Sequence, residues 1–229
     1  MNVKILELIS GAQKATGLTV IIDVFRAFST ACYVVNNGAE RIIPVGDIDS
    51  AYDIKRSNPS YVLIGERKGM KPPNFDHGNS PAQIEHESFD KKTVIQTTSA
   101  GTQGIDQAKK ADQIITGSFV NAGAIVKYIN SQNPKTVSLV AMGSAGIHIE
   151  DEDTLCAKYI KNELEGKMND FKQIVDHLRG YRSAQKFFDD TKEWAPARDF
   201  DLCMTVNKFN FVLKVQKEIK YSYLKKIDV

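Results

Sequence analysis

The chain has 229 residues, 42% of them hydrophobic and 25% charged, a composition that can bury a core and excludes disordered, collagen-like and disulfide-scaffold proteins. Thirty Lys and Arg against 28 Asp and Glu leave a formal charge of +2, short of the basic excess that binds a phosphate backbone, so nucleic acid is not the expected partner. Three cysteines without a CxxC pair, no stretch near the roughly 18 apolar residues that span a bilayer, and an N-terminus without a charged leader lead us to expect a cytoplasmic protein with no membrane partner.

In chain order, short apolar, β-branched runs predict strands at VKILEL (3–8), LTVIID (18–23), RIIPV (41–45), YVLIG (61–65), TVIQT (93–97), QIIT (113–116) and TVSLVA (136–141). Strands apolar along nearly their whole length suit a sheet covered on both faces. Helical periodicity falls between them, over 27–37, 48–57, 102–109, 119–131 and 153–164. This alternation predicts a three-layer α/β/α fold with a largely parallel, mixed sheet. We read one domain over 1–229, with a charged helical subregion at about 151–190. FNFVLKV (209–215) returns to a strand pattern, placed as an edge strand or small mixed extension. The segment RKGMKPPNFDHGNSPAQ (67–83) opposes both helix and strand through its prolines and glycines, and loops of that length are commonly functional.

Ligands of open α/β sheets bind beyond the carboxyl ends of the strands. There the sequence places Asp23, Arg26, Ser29 and Thr30 after the second run, and Glu66 and Arg67 after the fourth. Thr97, Thr98, Gly101 and Thr102 follow the fifth, Ser118 the sixth, and Gly143 to Gly146 the seventh. Hydroxyl and glycine runs that open helices offer backbone N–H groups to phosphate oxygens, and arginines add planar donors. Carboxylates beside a phosphate call for a hard cation between them. Each feature has a plainer reading: the Thr97–Thr102 turn could be a helix cap, and the acidic run 150–153 the favourable start of a helix. A P-loop, a dinucleotide fingerprint, a Cys-x5-Arg phosphatase motif and an Asp-x-Asp after the first strands are all absent.

The boxes DVFRAFST (23–30), NNGAERIIPV (36–45), IGERKG (64–69), FDHGNSP (75–81), TTSAGT (97–102) and EDEDTLCA (150–157) together resemble the 2-phosphosulfolactate phosphatase family. The sequence departs from the family pattern at Phe25 and Phe28, and at Ser99-Ala100, where Thr-Asn is frequent. The resemblance implies a fold distinct from the haloacid dehalogenase phosphatases. It also implies Mg²⁺-dependent hydrolysis of (R)-2-phospho-3-sulfolactate to 3-sulfolactate and phosphate, a step on a coenzyme M or sulfolactate route. On this reading Asp23, Glu66, Asp76 and Asp151 are the expected Mg²⁺ ligands, and Asp23, Glu66 and His77 the catalytic groups, with His77 as general acid. Arg26, Ser29, Arg67, Asn79, Thr97, Thr98, Gly101, Thr102 and Ser118 are the expected contacts of a small substrate bearing phosphate, carboxylate and sulfonate. Self-association into a homo-oligomer is left open, as are a non-catalytic sensor of such metabolites and a broad-range acid phosphatase.

Overall fold

The computed structural model describes residues 1–229. Nine strands form one sheet: β1 (Asn2–Glu7), β2 (Gly17–Ile22), β3 (Arg41–Pro44), β4 (Val62–Gly65), β5 (Thr93–Thr97), β6 (Ala111–Gly117), β7 (Thr136–Ala141), β8 (Phe211–Lys217) and β9 (Ser222–Asp228). Their spatial order is β1-β7-β2-β6-β8-β9-β3-β5-β4. The helices are α1 (Leu8–Ala12), α2 (Ala27–Asn36), α3 (Ile48–Ser57), α4 (Pro81–Ile84), α5 (Gly101–Gln107), α6 (Ala122–Gln132), α7 (Asp151–Leu164), α8 (Phe171–Gly180) and α9 (Ala197–Cys203). No helix is long and apolar enough to cross a membrane.

The two faces of the sheet are covered separately, and the side-chain period of two along β2 shows it. Val20 and Ile22 pack with Leu139 of β7, Ile125 of α6 and Ile160 of α7, whereas Ile21 points the other way, into a core with Phe28 and Ala31 of α2. Both sides of the strand are thus buried, which is why its sequence reads as continuously apolar rather than alternating. A smaller core lies beneath α3, where Ala51 and Ile54 meet Ile43, Leu63 and Ile95.

The strand at FNFVLKV lies inside the sheet and makes it mixed; of the two expectations, edge strand or mixed extension, the edge placement is corrected. β8 and β9 pair over seven residue pairs as an antiparallel hairpin, inserted between β6 and β3. β6, β8, β9 and β3 are successively antiparallel, so the block β1-β7-β2-β6 and the block β3-β5-β4 are each parallel but run in opposite senses. Their carboxyl ends meet nonetheless: the Gly101 N–H after β5 donates to Asp23 after β2 at 2.9 Å. Sheet twist accounts for this, because neighbouring strands rotate by roughly 20–25° and five steps from β2 to β5 accumulate about 100–125°. Most of the reversal is undone by the time the chain reaches the far block.

Candidate active site

Where those ends converge lies a cavity of about 510 Å³. Asp23, Phe25 and Arg26 line it from the end of β2, Glu66, Lys68 and Gly69 from the end of β4, and Ser99 and Ala100 from the end of β5. Gly143, Ser144 and Ala145 follow β7, and Glu150, Glu152 and Asp153 open α7. Asn79 completes the wall with Arg182, Ser183, Gln185, Lys186, Lys192 and Trp194 from the stretch after α8.

Three buried carboxylates are fixed by backbone N–H groups. Asp23 accepts from Ala27 at 3.0 Å and Gly101 at 2.9 Å, in the first turns of α2 and α5. Glu66 accepts from the N–H groups of Ser99 at 2.6 Å and Gly69 at 2.7 Å, and from the Ser99 hydroxyl at 3.2 Å. Asp153 accepts from Val24 at 2.7 Å and Gly143 at 2.8 Å, tying α7 to the ends of β2 and β7. Gly65 explains the glycine before Glu66: its φ is +146°, and a Cβ there would lie 2.0 Å from the Thr97 carbonyl oxygen. Only the bare backbone lets β4 and β5 deliver Glu66 and Ser99 side by side.

Electrostatics set this cluster apart from an ordinary surface. Burial, with Glu66 adding repulsion, pushes the Asp23 carboxyl up to about 6 against the pull of its two hydrogen bonds. Asp153 is pushed well above the usual range by burial and by its neighbours Asp23 and Glu152. Glu152 rises to about 7, mainly through burial, although the Ser183 hydroxyl donates to it at 2.6 Å. With Glu150, five buried carboxylates line one cavity. They form a hard, all-oxygen donor set suited to a divalent cation, although no three of them converge as a ready cage. Mg²⁺ needs no such cage, because it commonly binds through one or two carboxylates and keeps waters and substrate oxygens. Asp23 and Glu66, mutually repelling and lining one cavity, fit that requirement.

Of the residues predicted from sequence, Asp23, Arg26, Glu66 and Asn79 line the cavity. Asn79 is buried, and its Oδ1 has no partner in the protein. Arg26 is held by three hydrogen bonds: Nη1 donates to Asp199 at 2.6 Å and to the Trp194 carbonyl at 2.8 Å, and Nη2 donates to the Gly69 carbonyl at 3.1 Å. Asp199 in turn accepts from Ser80 and Ala82, both at 2.8 Å, so Arg26 anchors the FDHGNSP loop and α9 to the end of β2. Arg67 lies off the cavity, donating to the carbonyls of Glu66 and Gly46 and to the Thr97 hydroxyl, and so ties β3, β4 and β5 together.

The remaining predicted residues are placed elsewhere. The Thr98 and Thr102 hydroxyls each accept the other's backbone N–H, at 3.2 and 3.1 Å, which closes the turn before α5, and the Gly101 N–H is taken by Asp23. Ser29 and Ser118 are buried against each other at 2.6 Å. Asp76 accepts from the Leu63 N–H at 2.7 Å and from Lys55 at 3.0 Å, which fixes it to the outer strand β4 rather than to the cavity. His77 packs edge-on against Phe89 at 5.7 Å. Asp151 faces outward and pairs with His177 at 2.7 Å.

From the acidic run 150–153 sequence reasoning chose Asp151 and passed over Glu152 and Asp153, and it missed Lys186 and Asp199. For Asp153 a signal was present. A helix turns about 100° per residue, so positions 151 and 153 lie on opposite faces, and the buried stripe Cys156, Ala157, Ile160 runs back through 153, not 151. Lys186 and Asp199 stand in charged stretches with no comparable pattern.

Comparison with known proteins agrees with this geometry. The sequence model of 2-phosphosulpholactate phosphatase matches residues 3–218. A probable 2-phosphosulfolactate phosphatase of Bacillus subtilis is 31% identical over 204 residues, covering 88% of each chain. One from Thermotoga petrophila is 36% identical over 173 residues, 76% of this chain and 70% of its own. Another, from Caldicellulosiruptor saccharolyticus, is 42% identical over 144 residues, 61% of this chain and 59% of its own. With its boxes in order, its strand ends gathered on one carboxylate-lined cavity and a match along nearly its whole length, the chain belongs to the 2-phosphosulfolactate phosphatase family.

Proposed function

We propose that the chain hydrolyses (R)-2-phospho-3-sulfolactate to 3-sulfolactate and inorganic phosphate with the help of Mg²⁺. The observation that carries this reading is the crowd of buried carboxylates, Asp23, Glu66, Glu150, Glu152 and Asp153, around one cavity at the strand ends. A substrate bearing phosphate, carboxylate and sulfonate is repelled by whichever of these carboxylates is ionised, and a divalent cation between them offsets that repulsion. Asp23 and Glu66 would hold Mg²⁺, which when bound polarises a phosphoryl oxygen and acidifies a coordinated water.

The remaining work falls to the chain itself. The N–H groups of Ala27 and Gly101 fix the Asp23 carboxylate, and those of Ser99 and Gly69 fix Glu66, so both are oriented before ligand arrives. Asn79 offers an unpartnered buried amide oxygen to a ligand donor. Burial pushes the Glu152 carboxyl up to about 7, a range suited to a general acid, and on this proposal it would protonate the departing alkoxide. That role was expected of His77, which lies off the cavity on Phe89.

The test is phosphate release from 2-phospho-3-sulfolactate with and without Mg²⁺, beside p-nitrophenyl phosphate as a generic ester. Rapid, Mg²⁺-dependent release with clear preference for the sulfonated substrate is expected. Equal turnover of both esters would replace this reading with a broad-range phosphatase, and release from neither would overturn it.

A further inference from the structure

We propose that the ammonium of Lys186 takes an anionic oxygen of the substrate in this cavity, an inference that rests on the phosphatase reading above. The two arginines that sequence reasoning assigned to anion binding are already tied to the protein by their terminal nitrogens. Arg26 is held by Asp199 and two carbonyls, and Arg67 by two carbonyls and Thr97, away from the cavity. Arg182 is paired with Glu150 at 3.2 Å and Lys192 with Asp189 at 3.1 Å. Two lining cations remain without an ion pair, Lys68 on the exposed rim and Lys186 within.

Lys186 belongs to a 3₁₀ segment, Arg182–Phe188, that follows α8. Its ammonium lies over aromatic rings, 5.0 Å from the Phe187 centroid and 5.9 Å from that of Phe25. Its one hydrogen bond is a long one, 3.5 Å to the Phe25 carbonyl. Asp23 and Glu152 attract this charge and Arg26 repels it, yet no carboxylate comes within ion-pair distance. An ammonium with three donors, two rings at 5.0 and 5.9 Å and one weak acceptor is under-satisfied, and in a cavity that admits a substrate with three anionic groups the missing acceptors are those of the ligand. Phe25 shapes the same wall and places one of the rings over which Lys186 lies.

The experiment titrates inorganic phosphate and 3-sulfolactate, separately and with Mg²⁺ present, into the full-length protein and into Lys186→Met and Lys186→Arg by calorimetry. Losing a charge-assisted hydrogen bond should weaken at least one anion about ten-fold or more in Lys186→Met, with Lys186→Arg recovering most of it. The unaffected anion then tells which end of the substrate Lys186 holds. Melting of Lys186→Met should not fall, since an unpaired charge has been removed; should that variant not fold, Lys186→Gln takes its place. Less than five-fold weakening of both anions overturns the proposal while leaving the phosphatase reading intact. If the unaltered protein binds neither anion, the reading and the proposal fall together.

Discussion

At the scale of single residues, Asp23 and Arg26 illustrate two different uses of buried charge. Asp23 is held by two N–H groups yet left beside Glu66 and Asp153, so its charge is oriented without being neutralised. Asp23→Asn should lower phosphate release by about a hundred- to a thousand-fold, the scale of losing one group that stabilises the reacting charge, with weaker dependence on added Mg²⁺. Its melt should move by only a few degrees, because relief of repulsion offsets the weakened hydrogen bonds. Arg26 has its charge matched by Asp199, so Arg26→Met strands that carboxylate and should cost about 3–5 kcal/mol in denaturant unfolding. Titration adds a third expectation. A carboxyl whose folded pKa lies above its ordinary value binds its proton more tightly in the fold, so the fold loses stability as pH rises through that interval. For Asp23 the interval runs from 3.8 to about 6 and for Glu152 from 4.5 to about 7. Metal-free protein should therefore melt lower at pH 7.5 than at pH 5.5, with each group contributing about 1.4 kcal/mol per pH unit inside its interval. Glu152→Gln should flatten the upper part of that curve, and a melt that rises between pH 5.5 and 7.5 would contradict the assignment.

At the scale of elements, strand ends and helix starts are built as one piece. The Gly65 backbone passes so close to Thr97 that Gly65→Ala should push β4 from β5, lowering both the melt and kcat while Asp23 stays untouched. Activity and stability equal to the unaltered protein would show that the two strands can part without disturbing Glu66. What the sequence reveals at this scale follows from burial. The seven strands read from apolar runs recur as β1 to β7, because strands covered on both faces are mostly apolar even where they bury Thr19, Gln96, Thr116 or Ser138, and the edge strand β1 still packs Val3 and Ile5 on the core. β9 escaped because SYLKKID has one fully buried side chain, Leu224, and owes its conformation to pairing with β8 rather than to its own pattern. Asp23 and Glu66 were readable as polar residues ending apolar runs. Lys186 was not, since its place depends on how a 3₁₀ segment folds back across the sheet, and no local periodicity carries that information.

At the scale of the whole molecule, the sheet is two parallel blocks stitched by a hairpin, and its thinnest seam is the single residue pair Ile42 with Leu224 between β3 and β9. Asp23 is carried by one block and Glu66 by the other. Whatever ligand both carboxylates share therefore bridges the seam from the side, as a rivet joins two plates. Amide hydrogen exchange should resolve β1, β2, β6 and β7 from β3, β4 and β5 as two groups that open at different free energies. Mg²⁺ with phosphate should slow the faster group toward the slower one, whereas Asp23→Asn should keep them apart under the same conditions. Catalytic occupancy and the mechanical unity of the sheet would then be the same event, seen once by its chemistry and once by its exchange rates.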